Sequence, residues 1–251
     1  MNQSYRLKAS ETFSAVMVAV SAFLIGTAVT AFTGLFLRSV GVGLESTTVR
    51  LGLSVVLLQG VSFGGVAYIY LRLRGLGLGF IEARVPSLRD IGWVIAGFFA
   101  FLVSVMAISL LLNSLGIESA TNRIQSVGEN DPEVFLLLVP LSFLLIGPGE
   151  ELLFRGVIQG VLRKTFDAAP AVGIASLIFS VGHASSIQGG LEGKLVYLGV
   201  VFVLSLILGG LYERTSNLVV PALIHGAYNA MLFLGMYVAS TRNIEMAVSV
   251  V

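Results

Sequence analysis

The chain has 251 residues, of which 56% are hydrophobic and 12% charged, with 15 Lys and Arg set against 14 Asp and Glu for a formal net charge of +1. Ordinary soluble domains are about 25% charged, so a water-soluble globule is excluded, and a mean hydropathy of +0.93 points to a membrane protein. The absence of cysteine excludes disulfides, thiolate nucleophiles and cysteine-held metals, while the near-neutral balance argues neither for nor against a charged partner.

A hydrocarbon core about 30 Å thick requires roughly 20 apolar residues per helix. Seven runs meet that requirement: Phe13 to Leu37, Val49 to Leu73, Ile91 to Leu115, Val134 to Leu162, Ala168 to His183, Leu195 to Tyr212 and Leu218 to Val238. The runs are continuous rather than alternating, which excludes a barrel. The first follows Arg6 and Lys8 as a signal peptide would, but a signal h-region has only about 7 to 15 residues, so an uncleaved first helix is expected. The expected fold is an all-α polytopic membrane bundle of about 7–8 transmembrane helices. An eighth helix or re-entrant piece between Ser185 and Tyr197 would move the C-terminus to the other side.

Basic residues on alternate loops divide nine to five in favour of the side holding the N-terminus. The positive-inside rule then puts the N-terminus in the cytoplasm and the 118–133 loop outside. The chain reads as one membrane domain with two chemical parts and a tail: residues 1–132 supply apolar helices with interfacial charges, residues 133–238 hold the reactive groups, and residues 239–251 trail behind. The glycine-rich stretch from Leu71 to Asp90 has no strand before it and no Lys-Ser/Thr after it, so it reads as a flexible basic loop rather than a phosphate cradle.

The fourth run carries "PGEELLFRG", residues 148–156. Ionisable residues inside a span are costly and mark function by default. Glu151 and Arg155 are four apart in the acid-before-base order of a helical pair, which makes them a supporting unit. Glu150 points about 100° away and needs another partner. Pro148 between Gly147 and Gly149 permits a bend and close helix approach. Both histidines also fall in apolar runs, His183 four residues after Phe179 and His225 four before Asn229.

Counting about 1.5 Å per residue from the cytoplasmic ends puts Glu150 about 21 Å deep, His183 and Asn229 about 20 Å and His225 about 14 Å. The four can therefore meet. A free carboxylate, two imidazoles and a carboxamide suit water activation and oxyanion stabilisation, hence amide hydrolysis without a covalent intermediate. A zinc site made of Glu150, His183 and His225 is the secondary mechanism. There is no HExxH and no intramembrane aspartate pair.

Glu150-Glu151-x-x-x-Arg155, Phe179-x-x-x-His183 and His225-x-x-x-Asn229, in that order, resemble the motifs of the CaaX prenyl protease and bacteriocin-processing family, also called Abi or CPBP. The resemblance covers roughly residues 140–230. It implies a glutamate-dependent intramembrane endopeptidase without a cofactor, in which Glu150 and His183 activate water, His225 and Asn229 hold the oxyanion, and Glu151, Arg155 and Phe179 support the site. It also implies a prokaryotic plasma membrane setting, membrane lipid as surroundings, and a protein or peptide substrate, lipidated or membrane-tethered as an option, with no nucleic acid. The alternatives are a non-catalytic scaffold or bacteriocin self-immunity protein and, less favoured, a proton-coupled transporter. The cavity is expected to open toward the cytoplasmic leaflet, with Gly156 and Gly160 serving helix contact.

Overall fold

The computed structural model describes residues 3–242. Seven helices are long and apolar enough to cross a membrane: α1 (Gln3–Ser39), α2 (Thr47–Leu73), α3 (Leu88–Ser114), α4 (Glu133–Leu162), α5 (Ala168–Ser186), α6 (Leu191–Thr215) and α7 (Val219–Arg242). Together they make an integral membrane helical bundle. α7 runs to Arg242, so residues 239–242 of the expected tail are helical, and residues 243–251 lie outside the described residues. No helix of its own occupies the interval from Ser185 to Tyr197; α6 begins within it.

Local chemistry fixes the ends. Ser46 accepts a hydrogen bond from the Val49 amide at the start of α2. Ser87 and Asp90 form a reciprocal capping box at the start of α3, satisfying two amides that the first turn leaves unpaired. At the far end of the bundle, the α3–α4 connection carries β1 (Thr121–Asn122), which pairs antiparallel with β2 (Ile187–Gln188) just after α5. A short helix, Arg123–Asn130, follows β1 and is capped by Asn122.

The core holding α1, α2, α4 and α5 together includes Phe63, Phe154 and Phe179, with Phe63 and Phe154 packed edge to face. A second core joins α3, α6 and α7 around Phe101, Leu208, Ile224 and Tyr228. Because hydrocarbon is as apolar as these side chains, close packing of small residues contributes much of the helix association.

That principle is visible at α4. A Cβ on Gly147 would stand 2.7 Å from the Ala222 carbonyl oxygen of α7, and one on Gly226 would stand 2.8 Å from the Ser142 oxygen of α4. Gly149 abuts the backbone of Gln59 in α2. α4 is therefore clasped between α2 and α7 at the level of Glu150. Wide π-type turns at Ser142–Ile146 and Leu152–Gln159 bracket this segment, giving the local irregularity expected of Pro148 in a span.

Two expectations need correction here. The nearest neighbours of Gly156 and Gly160 come from the α2–α3 connection rather than from a spanning helix: Ile81 packs on the first and Phe80 on the second. The 71–90 loop that supplies them is not loosely held. The Leu218 amide donates to the Glu82 carbonyl at 2.7 Å, the Arg84 amide donates to Asn217 Oδ1 at 3.1 Å, and Arg84 pairs with Asp90. Apolar Phe80 and Ile81 anchor the loop in the small gaps the two glycines leave, and the polar contacts hold it there.

Candidate active site

Glu150, His183, His225 and Asn229 line one cavity of about 260 Å³. α4 brings Glu150 into it, the end of α5 brings His183, and successive turns of α7 bring His225 and Asn229. Glu150 is mostly buried. Its Oε1 receives a 3.4 Å hydrogen bond from Gln59 Nε2, while its Oε2 lies 3.8 Å from His225 Nε2 and 4.0 Å from His183 Nε2.

Hydrogen bonds at the far side of each ring decide what those two nitrogens present. His183 Nδ1 is 2.9 Å from the Phe179 carbonyl oxygen. A carbonyl only accepts, so Nδ1 carries the proton, and a neutral ring turns its Nε2 lone pair toward Glu150. His225 Nδ1 is 2.9 Å from Glu151 Oε1, and by the same logic a carboxylate there makes Nδ1 the donor.

Glu151 and Arg155 make the expected pair, with Arg155 Nη1 donating to Glu151 Oε1 at 3.0 Å. Both side chains are fully buried. Arg155 Nη2 also donates to the carbonyl and hydroxyl oxygens of Ser205, at 3.1 and 2.9 Å, and the guanidinium lies 4.6 Å from the Phe179 ring centroid. Phe179 in turn contacts both imidazoles, at 4.6 Å for His183 and 5.9 Å for His225. Glu151 therefore does more than restrain Arg155, because the same oxygen also holds His225.

Sequence reasoning missed several polar lining groups. Gln59 and Asn122 come from residues 1–132, where only interfacial charge was expected, and Tyr197 and Tyr228 stand in apolar helices. The signal for Gln59 was a carboxamide inside an apolar run, a rarity of the kind that marks function in a span. The tyrosines gave no comparable signal, since an aromatic ring belongs in an apolar helix.

The direction of the cavity also differs from expectation. Its walls use Leu51 and Val55 at the start of α2, Ser186 at the end of α5, Phe233 and Met236 late in α7, and Asn122 and Ile124 of the α3–α4 connection. All lie at the bundle end opposite the N-terminus. A cytoplasmic N-terminus and a cytoplasm-facing cavity are incompatible in this fold. Among the described residues no three His, Asp or Glu side chains are grouped as a metal-ligand set.

The fold and site thus define a polytopic membrane protein with a carboxylate and two imidazoles gathered in a cavity within its helices. Residues 132–231 match the family described as type II CAAX prenyl endopeptidase, Rce1-like, a stretch that contains all three motifs. The chain is 31% identical over 153 residues to YdiL of Bacillus subtilis (strain 168), a candidate membrane peptidase, covering 60% of this chain and 58% of the relative. It is 26% identical over 159 residues to the membrane-embedded CAAX protease MroQ of Staphylococcus aureus (strain USA300), covering 61% of each. The chain therefore spans about three-fifths of the length of these curated relatives. No solved structure matches it.

Proposed function

We propose that the protein is an integral membrane endopeptidase that hydrolyses a peptide bond with water activated by Glu150 and His183. The observation that carries this reading is the geometry around Glu150 Oε2, an acceptor without a hydrogen-bond partner 4.0 Å from the acceptor face of His183. A single water donating one proton to each, at about 2.8 Å, spans about 4 Å between its acceptors. Its lone pairs are then free to attack.

The water oxygen bonds to the substrate carbonyl carbon while its proton passes to Glu150, with His183 sharing it. The tetrahedral oxyanion is held by Asn229 and by His225. For that role His225 carries a proton on Nε2 as well as on Nδ1, with Glu151 as its counter-charge. The carbon–nitrogen bond then breaks, and the proton taken from water goes to the leaving amine. No covalent enzyme intermediate is needed, and atoms balance to one acid and one amine. Positioned proton transfer contributes typically 10²–10⁴-fold and an oxyanion donor about 10²–10³-fold.

The family match over residues 132–231 and the protease name of the Staphylococcus aureus relative support the reaction class. The mostly apolar walls suit a membrane-tethered or lipidated peptide. We place the protein in a bacterial plasma membrane with a cytoplasmic N-terminus, a reading supported by the organisms of the relatives and by the charge count, and this directs the cavity away from the cytoplasm.

The test is cleavage of a library of membrane-tethered and prenylated peptides by purified wild type and Glu150→Gln, each with and without a chelator. Cleavage lost in the variant and retained under chelation is the expected result. Loss on chelation would replace this mechanism with the zinc alternative. Unimpaired cleavage by Glu150→Gln would refute the glutamate mechanism.

A further inference from the structure

Seven buried side-chain nitrogen and oxygen atoms lack a hydrogen-bond partner among the described residues, and three belong to residues that line the cavity: Gln59 Oε1, Glu150 Oε2 and Tyr228 OH. Glu150 is accounted for by water activation. The other two take no part in that chemistry.

Tyr228 is only 3% exposed, and its ring packs against Phe101 with centroids 4.7 Å apart. Phenylalanine would keep that packing without burying an unpaired hydroxyl, which costs stability. A buried orphan of this kind calls for a partner outside the chain.

Tyr197, also lining the cavity, is 2% exposed and differently placed. Asn122 Nδ2 donates to its phenol oxygen at 3.2 Å, and Asn122 is itself fixed by its Oδ1 accepting from the Ile124 amide at 3.0 Å. Because the oxygen already accepts, the Tyr197 proton remains to be given.

The ligand must therefore offer acceptors to two phenols and a donor to a carboxamide oxygen. A peptide backbone offers both in every unit. Charge narrows the choice further: the lining contains no lysine or arginine, and Glu150 sits within it. A free carboxylate would be desolvated beside Glu150, and the one lining cation of the proposed mechanism, His225, is already paired with Glu151, whereas an uncharged peptide carbonyl needs no counter-charge.

We propose that Tyr197, Tyr228 and Gln59 form a backbone-binding subsite for an uncharged internal peptide segment, the phenols donating to its carbonyl oxygens and Gln59 Oε1 accepting its N–H. This rests on the endopeptidase reading for its ligand class. These are positioning groups, and the peptide's own terminal carboxylate stays outside the cavity.

The probe is a fluorescein-labelled, end-capped apolar peptide in detergent micelles, titrated by fluorescence anisotropy onto the Glu150→Gln protein, with and without Tyr228→Phe or Tyr197→Phe. Loss of one such hydrogen bond should weaken binding about fivefold to tenfold per tyrosine, while Tyr228→Phe keeps or raises the unfolding temperature. Unchanged affinity in both tyrosine variants, no binding by the parental protein, or destabilisation by Tyr228→Phe without an affinity change would overturn the subsite. The two readings separate cleanly. Tyrosine-dependent binding without any cleavage by wild type leaves the subsite standing and the endopeptidase reading refuted; cleavage lost only with Glu150 and indifferent to both tyrosines does the reverse.

Discussion

Replacing Glu151 by Gln tests the idea that one carboxylate organises both Arg155 and His225. The change is nearly isosteric, so it removes charge with little effect on packing. At the observed 3.0 Å, Coulomb's law with an effective dielectric of about 20 gives roughly 5 kcal/mol of attraction. Stranding one member of a buried pair costs about 3–5 kcal/mol in measured cases. Ser205 and the Phe179 ring still hold the guanidinium, so the lower part of that range applies, and the unfolding temperature in detergent should fall by about 10 °C. Glu151→Gln with Arg155→Met removes both charges and should recover most of the loss, giving a coupling energy of about 2 kcal/mol or more in a double-mutant cycle. Peptide cleavage should remain low in the double variant, because His225 still lacks its carboxylate. Additive single effects, or a Glu151→Gln protein as stable as wild type, would refute the shared-anchor argument.

Other outcomes follow from the same geometry. Asn229→Ala should lower kcat about 10²–10³-fold with an unchanged unfolding temperature, since this partly exposed side chain makes no hydrogen bond among the described residues; comparing KM and kcat checks the assignment. Gly226→Ala should destabilise the protein by about 1–3 kcal/mol, because the new Cβ meets the Ser142 oxygen at 2.8 Å, and thermal unfolding measures it. The cysteine-free chain permits clean topology mapping: in intact bacterial cells, Thr121→Cys should react with a membrane-impermeant maleimide and Asp167→Cys should not. The opposite pattern would put the N-terminus outside and the cavity on the cytoplasmic side.

The seven spans were legible because membrane thickness imposes one length on every apolar run, and little tertiary information is needed to see it. The convergence of Glu150, His183, His225 and Asn229 was legible for a related reason: charge and imidazole are conspicuous in hydrocarbon, and helix rise converts sequence position into depth. Depth alone does not say on which side a cavity opens. That is set by where Asn122, Ser186 and Met236 enclose space, which depends on packing among helices far apart in sequence. The 71–90 loop was misread because its glycines and arginines outweighed Phe80 and Ile81, whose fit against Gly160 and Gly156 exists only in three dimensions. Tyr197 and Tyr228 were invisible for a different reason. Their rings obey the apolar pattern, and only the hydroxyl, read against its surroundings, departs from it.

The oxygen that Glu151 shares between a guanidinium and an imidazole limits how this protein can be disarmed for study. Variants on the His225 side of the site disturb a buried ionic knot, so an inactive protein obtained there is liable to be a damaged one. Among the described residues, the Glu150 side chain makes a single hydrogen bond, the long 3.4 Å contact from Gln59, and stands 3.8 Å or more from both imidazoles. If the proposed endopeptidase reading holds, Glu150 is the position at which a well-folded, substrate-retaining trap can be made for fishing natural targets out of a membrane.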